Sequence, residues 1–126
     1  MARRRYVVLE HRWDGVHWDL MLDVGDMLRT WAIDAPITTG VDLPARALAD
    51  HRRIYLDFEG EISGGRGTVR RVDRGLYEPL IWTPDHVRVR LEGGQLVGEA
   101  ELRGTGAGAN ETPSAVPWIL RLGNFS

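Results

Sequence analysis

The chain has 126 residues, 43% of them hydrophobic and 27% charged, with a formal net charge of -2, no cysteine, and arginine at all 16 basic positions. This length suits one domain over residues 1–126, the charge argues against a general nucleic-acid coat protein, and the missing cysteine and lysine exclude disulfides, thiolate chemistry and lysyl-nucleotide intermediates. No apolar run approaches the roughly 20 residues of a membrane helix, and no apolar stretch follows the basic N-terminus, so we expect a cytoplasmic protein without membrane contact.

Short segments with alternating hydrophobicity predict a β protein. Val16–Asp23 is the clearest strand, and the turn signal Asp14-Gly15 separates it from a strand at Tyr6–Glu10. The remaining prediction, in chain order, is a strand at 27–33, a loop at 34–45, a short helix within 44–50, strands at 54–58, 68–72, 76–82, 86–91 and 95–102, a glycine-rich loop at 104–113 and a strand at 116–122. Short strands with regular turn signals and almost no helical period favour an antiparallel barrel or sandwich.

Two histidines and a carboxylate lie within the first predicted hairpin. His17 and Asp19 are two residues apart, so on a strand they share a face, and His11 meets them if the strands pair. Such a cluster of two histidines and one carboxylate is a common way to hold a divalent transition metal, and Mn, Zn and Co all suit it. The alternative is a polar surface hairpin with coincidental histidines.

Further candidates follow along the chain. His51 and Tyr55 lie four residues apart, roughly 13 Å along a strand but adjacent on a helix or bulge, where they could bind phosphate or exchange a proton. The alternative is a loop histidine and a core tyrosine. Four arginines are candidate phosphate ligands because guanidinium binds phosphate in a bidentate manner: Arg46, Arg52, Arg53 and Arg66. Glycines flank Arg66, and Trp13 beside His11 could stack a base.

Several segments, in order along the chain, resemble the 3′-phosphoesterase domain of bacterial end-joining DNA ligase D. The family patterns are written beside the matching segments: Tyr6–His11 with Val16–Asp23 (H-x5-H-x-D-x-R), Leu28–Ile33 (L-x-S-W-A-V), Asp50–Gly60 (D-H-x3-Y-x-D-F-E-G), Gly67–Gly75 (G-T-V-x-x-W-D-R-G) and Leu96–Leu102 (K-L-x-G-x-W/F-x-L).

The resemblance implies a small antiparallel β-barrel of about eight strands with little helix, which removes phosphate or a terminal ribonucleoside from DNA 3′ ends using manganese or a similar ion. By matching position, His11, His17 and Asp19 would be the metal ligands, and His51 and Tyr55 would contact the phosphate. Nucleic-acid 3′ ends, and with them end-joining repair proteins, are the implied partners.

This chain departs from the family at cationic positions. Met21 stands where the family has an arginine, and Ala47 where it has another, with Arg46 adjacent. Because phosphoryl transfer depends on positioning and charge neutralisation, we predict weakened activity unless Arg46, Arg52, Arg53 or Arg66 substitutes.

The leading hypothesis is therefore a divergent, stand-alone, metal-dependent phosphoesterase acting on 3′-phosphorylated DNA or RNA ends in DNA repair. One alternative is a module that holds a metal and recognises a nucleic-acid end or a protein without turnover. The other is a metal-dependent phosphatase with a substrate that is not a nucleic acid, which the acidic balance of the chain favours.

Overall fold

A computed structural model describes residues 3–104 and 117–123, which form strands and one short 3-10 helix. The strands are β1 (Arg4–Arg12), β2 (Val16–Asp23), β3 (Leu28–Ile33), β4 (Asp42–His51), β5 (Gly60–Glu61), β6 (Thr68–Thr83), β7 (His86–Gly93), β8 (Val97–Gly104) and β9 (Pro117–Gly123), and the 3-10 helix is Arg53–Leu56. Within these ranges no helix is long and apolar enough to cross a membrane.

The strands form a closed antiparallel barrel. Their order is β1-β2-β3-β4-β9-β8-β7-β6, and β6 pairs back onto β1, so eight strands close the sheet while the two-residue β5 pairs with β6 outside it. Closure leaves the barrel strands without free edges. The predicted barrel of about eight strands with little helix is confirmed.

Four local predictions were wrong. The loop predicted at 34–45 ends earlier, since residues 42–45 already belong to β4. The segment 44–50 lies in β4 rather than a helix, because pairing with β3 and β9 buries its alternate residues Leu43, Ala45 and Ala47 and overrides the helical preference of alanine. The segment predicted as a strand at 54–58 begins as the 3-10 helix, and the strands predicted at 68–72 and 76–82 are one strand, β6. The glycine-rich loop predicted at 104–113 lies outside the described residues from position 105 onward.

Apolar side chains pack on both sides of the sheet near β1 and β2. The large core fills the barrel interior, where Trp31 and Trp118 meet edge to face with ring centroids 5.6 Å apart. A smaller cluster lies on the outer face, where Val7, Leu9 and Met21 pack beneath Leu56 of the 3-10 helix. This second cluster seats residues 53–62 on the outside of the barrel.

A buried carboxylate ties the β7–β8 turn to the body of the barrel. Asp73 accepts hydrogen bonds from the hydroxyl of Tyr6 at 2.7 Å and from the backbone N–H groups of Gln95 and Leu96 at 2.9 Å each. Burial, followed by the neighbouring Asp73, raises the pKa of Tyr6, so the phenol stays protonated and donates.

Replacing Tyr6 with phenylalanine is expected to lower the free energy of unfolding by about 1.5–3 kcal/mol, because a hydrogen bond to a charged group is lost. Tyr77→Phe is the matched control, since its hydroxyl donates at 2.6 Å to a neutral acceptor, the backbone carbonyl of Asp23. Its expected cost is about 0.5–1.5 kcal/mol. Urea unfolding of the three proteins measures both values, and a Tyr6→Phe cost no greater than the control's would contradict the charged hydrogen bond.

Candidate metal centre and phosphate cavity

The β1–β2 hairpin brings the three predicted ligands together on the outer face of the barrel. His11 pairs directly with His17 in the strand register, and Asp19 follows two residues along on the same face. His11 Nδ1 lies 3.3 Å from His17 Nε2, His17 Nε2 lies 3.0 Å from Asp19 Oδ1, and His11 Nδ1 lies 3.6 Å from Asp19 Oδ2. The predicted face-sharing and hairpin contact are thus confirmed.

A backbone carbonyl orients His11 toward this cluster. Its Nε2 lies 2.8 Å from the carbonyl oxygen of Arg66, which can only accept, so Nε2 carries the proton and Nδ1 of the neutral ring keeps its lone pair. The adjacent Asp19 carboxylate raises the pKa of His11, and the carbonyl of Arg66 raises it further by a smaller amount. Sequence reasoning missed the role of Arg66 as a backbone acceptor, because any residue type could supply that carbonyl.

Asp19 supplies a buried carboxylate with unused bonding capacity. Only 3% of its side chain is exposed, and its Oδ1 has no aligned hydrogen-bond donor. Burial by itself would raise the pKa of Asp19, but the imidazoles of His11 and His17 outweigh it and hold that pKa below its usual range. The carboxyl is therefore an anion whose Oδ1 lies 3.0 Å from His17 Nε2 without forming a well-aligned hydrogen bond.

These three groups fit a divalent metal ion. Metal–ligand bonds of about 2.1 Å at angles of roughly 90–110° place ligand atoms about 3.0–3.4 Å apart. The two imidazole nitrogens are 3.3 Å apart, within that range, and each lies 3.0 or 3.6 Å from a different oxygen of Asp19. With one ligand atom taken from each residue, the three atoms lie within 4.8 Å of one another. An ion at this point would give the unsatisfied Asp19 oxygen a partner and would meet one lone pair from each imidazole.

The second predicted pair, His51 and Tyr55, also comes together. His51 ends β4 and Tyr55 lies in the 3-10 helix, so the chain turns between them and their ring centroids are 5.9 Å apart. The histidine donates from Nδ1 to the carbonyl oxygen of Ala49 at 2.8 Å, which leaves Nε2 of the neutral ring as an acceptor. The two side chains are therefore neighbours, as predicted for a helix or bulge, and are not about 13 Å apart, as predicted for a regular strand.

Two ion pairs fasten the 3-10 helix across the outside of the hairpin. Arg53 forms a bidentate contact with Asp23 of β2 at 3.1 and 2.9 Å, and Arg5 of β1 lies 2.6 Å from Asp57. The first of these lowers the pKa of Asp23 against the opposing effect of burial. Tyr55 is held between these two anchors, which sequence reasoning missed because each joins residues about 30 to 50 positions apart.

One cavity of about 160 Å³ is lined by residues from both sets, although His17 is not among them. Its lining includes His11 and Asp19 from the candidate metal site, His51 and Tyr55 from the second pair, and Arg66. Met21 also lines it and is only 1% exposed, so the cavity has an apolar wall at the position where the resemblance led us to expect an arginine.

The four candidate phosphate arginines separate in space. Arg66 lines the cavity, with its Nε donating to the carbonyl of Ser63 at 2.9 Å. Arg52 lines a neighbouring cavity on the other side of Tyr55. Arg53 is held by Asp23, and Arg46 lies 3.3 Å from Asp34, so neither of these two lines the cavity.

Comparison with known proteins identifies the family. The sequence profile of the DNA ligase D 3′-phosphoesterase domain matches residues 9–103, and the chain belongs to that family. It is 36% identical over 99 residues to the multifunctional non-homologous end joining protein LigD of Pseudomonas aeruginosa, covering 73% of this chain and 11% of that protein. It is 32% identical over 106 residues to the corresponding DNA repair protein of Mycobacterium tuberculosis H37Rv, covering 77% of this chain and 14% of the relative. The chain thus matches a small part of each relative's length.

Adding Mn²⁺ or Zn²⁺ is expected to raise the thermal unfolding midpoint, because an ion bound to the folded state stabilises it by about 2.7 kcal/mol at a hundredfold excess over Kd. His17→Ala and Asp19→Asn should each remove most of this shift. His86→Ala is the control. The imidazole of His86 lies 2.8 Å from the carboxylate of Glu101, and His86 does not line the cavity. Differential scanning fluorimetry with and without metal measures the shift, and its survival in both ligand variants would place the metal elsewhere.

Proposed function

We propose that this protein is a metal-dependent phosphoesterase that removes phosphate, or a terminal ribonucleoside, from the 3′ ends of DNA during end joining. The observation that carries the proposal is the shared cavity, which His11 and Asp19 of the three-residue cluster line together with His51 and Tyr55. Membership in the 3′-phosphoesterase family supports the reaction class. The names of the relatives from P. aeruginosa and M. tuberculosis support DNA ends as substrates and end-joining proteins as partners.

In this proposal His11, His17 and Asp19 hold a divalent ion, with manganese the first choice and zinc or cobalt the alternatives. The ion supplies Lewis-acid chemistry, polarising a phosphoryl oxygen or lowering the pKa of a water molecule. The carbonyl oxygen of Arg66 lies 2.8 Å from His11 Nε2 and accepts its proton in a hydrogen bond. This contact keeps the His11 ring in the tautomer whose Nδ1 is free to bind the ion.

His51 and Tyr55 act on the phosphate itself. The bond from His51 Nδ1 to Ala49 fixes the ring and leaves Nε2 to exchange a proton with the reacting group. Tyr55, packed edge-on against His51 and Phe58, offers its hydroxyl to a phosphate oxygen from a restrained position. Tyr55 lies between the two ion pairs and His51 ends a strand that pairs with Leu28 of β3, so little reorganisation is needed when the substrate binds.

Arg66 is the cation that we assign to the phosphate. Among the four candidates it alone lines the cavity with His51 and Met21, and its guanidinium keeps donors beyond the single Nε bond to Ser63. We infer that it carries part of the charge neutralisation that an arginine at position 21 provides in the related family, and that activity is weaker for the loss of that group.

The proposal is tested by phosphate release from a primer-template with a 3′-phosphate, in the presence of Mn²⁺. His17→Ala and His51→Ala are each expected to slow release about 100-fold or more, through loss of a metal ligand and of proton transfer. His86→Ala should retain the wild-type rate. Equal release by all four proteins would indicate a contaminating enzyme. No release by wild type that still binds manganese would favour the binding module, for which the apolar Met21 wall is the supporting observation.

Replacing Arg66 with alanine is expected to reduce the rate of 3′-phosphate release by about 10²-fold, the effect of removing one donor to a developing negative charge. Arg88→Ala provides the matched control, because Arg88 is also an exposed arginine, is paired with Glu99 and does not line the cavity. Single-turnover rates at saturating Mn²⁺ make the comparison. An unchanged rate in Arg66→Ala would remove this residue from the phosphate site.

A further inference from the structure

Trp13 occupies the tip of the β1–β2 hairpin with an exposed indole. The residue is 53% exposed, although its backbone is held by an N–H bond to the carbonyl of Gly15 at 3.0 Å. An exposed tryptophan on a fixed backbone presents a rigid apolar face at low entropic cost.

The indole lies directly beside the candidate metal centre. It stacks on His11, with ring centroids 6.4 Å apart and ring planes 21° from parallel. Trp13 lines the cavity that contains Asp19 and His51, and it also lines a larger neighbouring cavity of about 480 Å³. It therefore stands between the site proposed for the phosphate and an open space beside it.

A glycine allows the 63–67 turn to pack closely against the hairpin tip that contains Trp13. Gly67 has φ +85°, and a Cβ there would lie 2.0 Å from the carbonyl oxygen of Arg12 and 2.6 Å from Trp13 Cβ. Only glycine allows the 63–67 turn to close this tightly against the hairpin tip. The position of Trp13 relative to the cavities is set by backbone contact as well as by its own side chain.

The residues that line the larger cavity suit a nucleobase better than a second phosphate group. Its lining combines the Trp13 indole with Ile62, the hydroxyl residues Ser63 and Thr68, and the carboxylate residue Glu61. An anionic wall repels phosphate, whereas carboxylate and hydroxyl oxygens accept hydrogen bonds from the ring N–H and amino groups of a nucleobase.

We propose that Trp13 stacks against the base of the terminal nucleotide, so that the protein recognises the last base of a strand together with its 3′-phosphate. The inference rests on the proposed function, since it places the phosphate at the neighbouring metal centre. It makes Trp13 a specificity-determining residue that favours ends carrying a base over abasic ends. Stacking is tolerant of sequence because every base has a π face.

The test compares the affinities of two labelled oligonucleotides by fluorescence anisotropy with Mn²⁺ present. Both end in a 3′-phosphonomethyl group, whose bridging carbon prevents hydrolysis, and one has a terminal base while the other ends in an abasic sugar. Wild type is expected to bind the end with a base about 5- to 100-fold more tightly. Trp13→Ala should lose this preference, and Trp13→Phe should keep part of it.

Trp82→Ala is the matched control, because Trp82 is 43% exposed and stacks on Tyr77 with the same centroid separation of 6.4 Å and the same angle of 21°. It should retain the wild-type preference. The inference would be overturned if Trp13→Ala lost the same factor of affinity for both oligonucleotides or lost affinity for neither. Failure of the wild-type protein to bind either oligonucleotide would also overturn it. Phosphate release from the natural end is measured separately, so a protein that releases phosphate without a Trp13 effect refutes only the stacking.

Discussion

The pairing register of β1 with β2 is the constraint on which the candidate site depends. Because side chains alternate across a strand, a shift of one residue would turn His17 and Asp19 into the barrel interior and expose Trp18 and Leu20. Burial of Val8, Leu20 and Leu22 in the interior core opposes that shift. The apolar side chains inside the barrel thus determine the position of the polar groups outside it, and the proposed chemistry requires no strained backbone at the ligands themselves.

The site is built on the outer surface of the barrel and is covered by a separate segment. The interior is occupied by aromatic and aliphatic side chains, so the 160 Å³ cavity forms instead where the 3-10 helix and the 63–67 turn lie over the hairpin. Leu56 inserts into the outer apolar cluster, and ion pairs at Arg53 and Arg5 hold the same segment at two points. The sheet therefore supplies the candidate metal ligands and His51, whereas the connection held by these ion pairs supplies Tyr55.

The parts of this arrangement that could be predicted from sequence are those with local causes. Alternation in Val16–Asp23 and the turn at Asp14 were enough to place three ligand candidates on one face. The strand at Asp42–His51 was missed because its alanines favour a helix in isolation, and only pairing on both sides decides otherwise. The partners of Arg46 and Arg53 were equally hidden, since both are acidic residues that approach through the tertiary fold. An arginine count alone could not separate a phosphate ligand from a structural ion pair.

The distribution of charge around the cavity connects the proposed metal chemistry with the proposed base contact. Met21 contributes an apolar surface, Arg53 is committed to Asp23, and among the candidate arginines Arg66 alone reaches the cavity. A phosphate there would meet few protein cations, so the ion that we propose at His11, His17 and Asp19 would have to neutralise most of its charge. Binding energy that a cationic clamp would otherwise provide must then come from uncharged contacts. The exposed indole of Trp13, stacked on a candidate metal ligand, is placed to supply one.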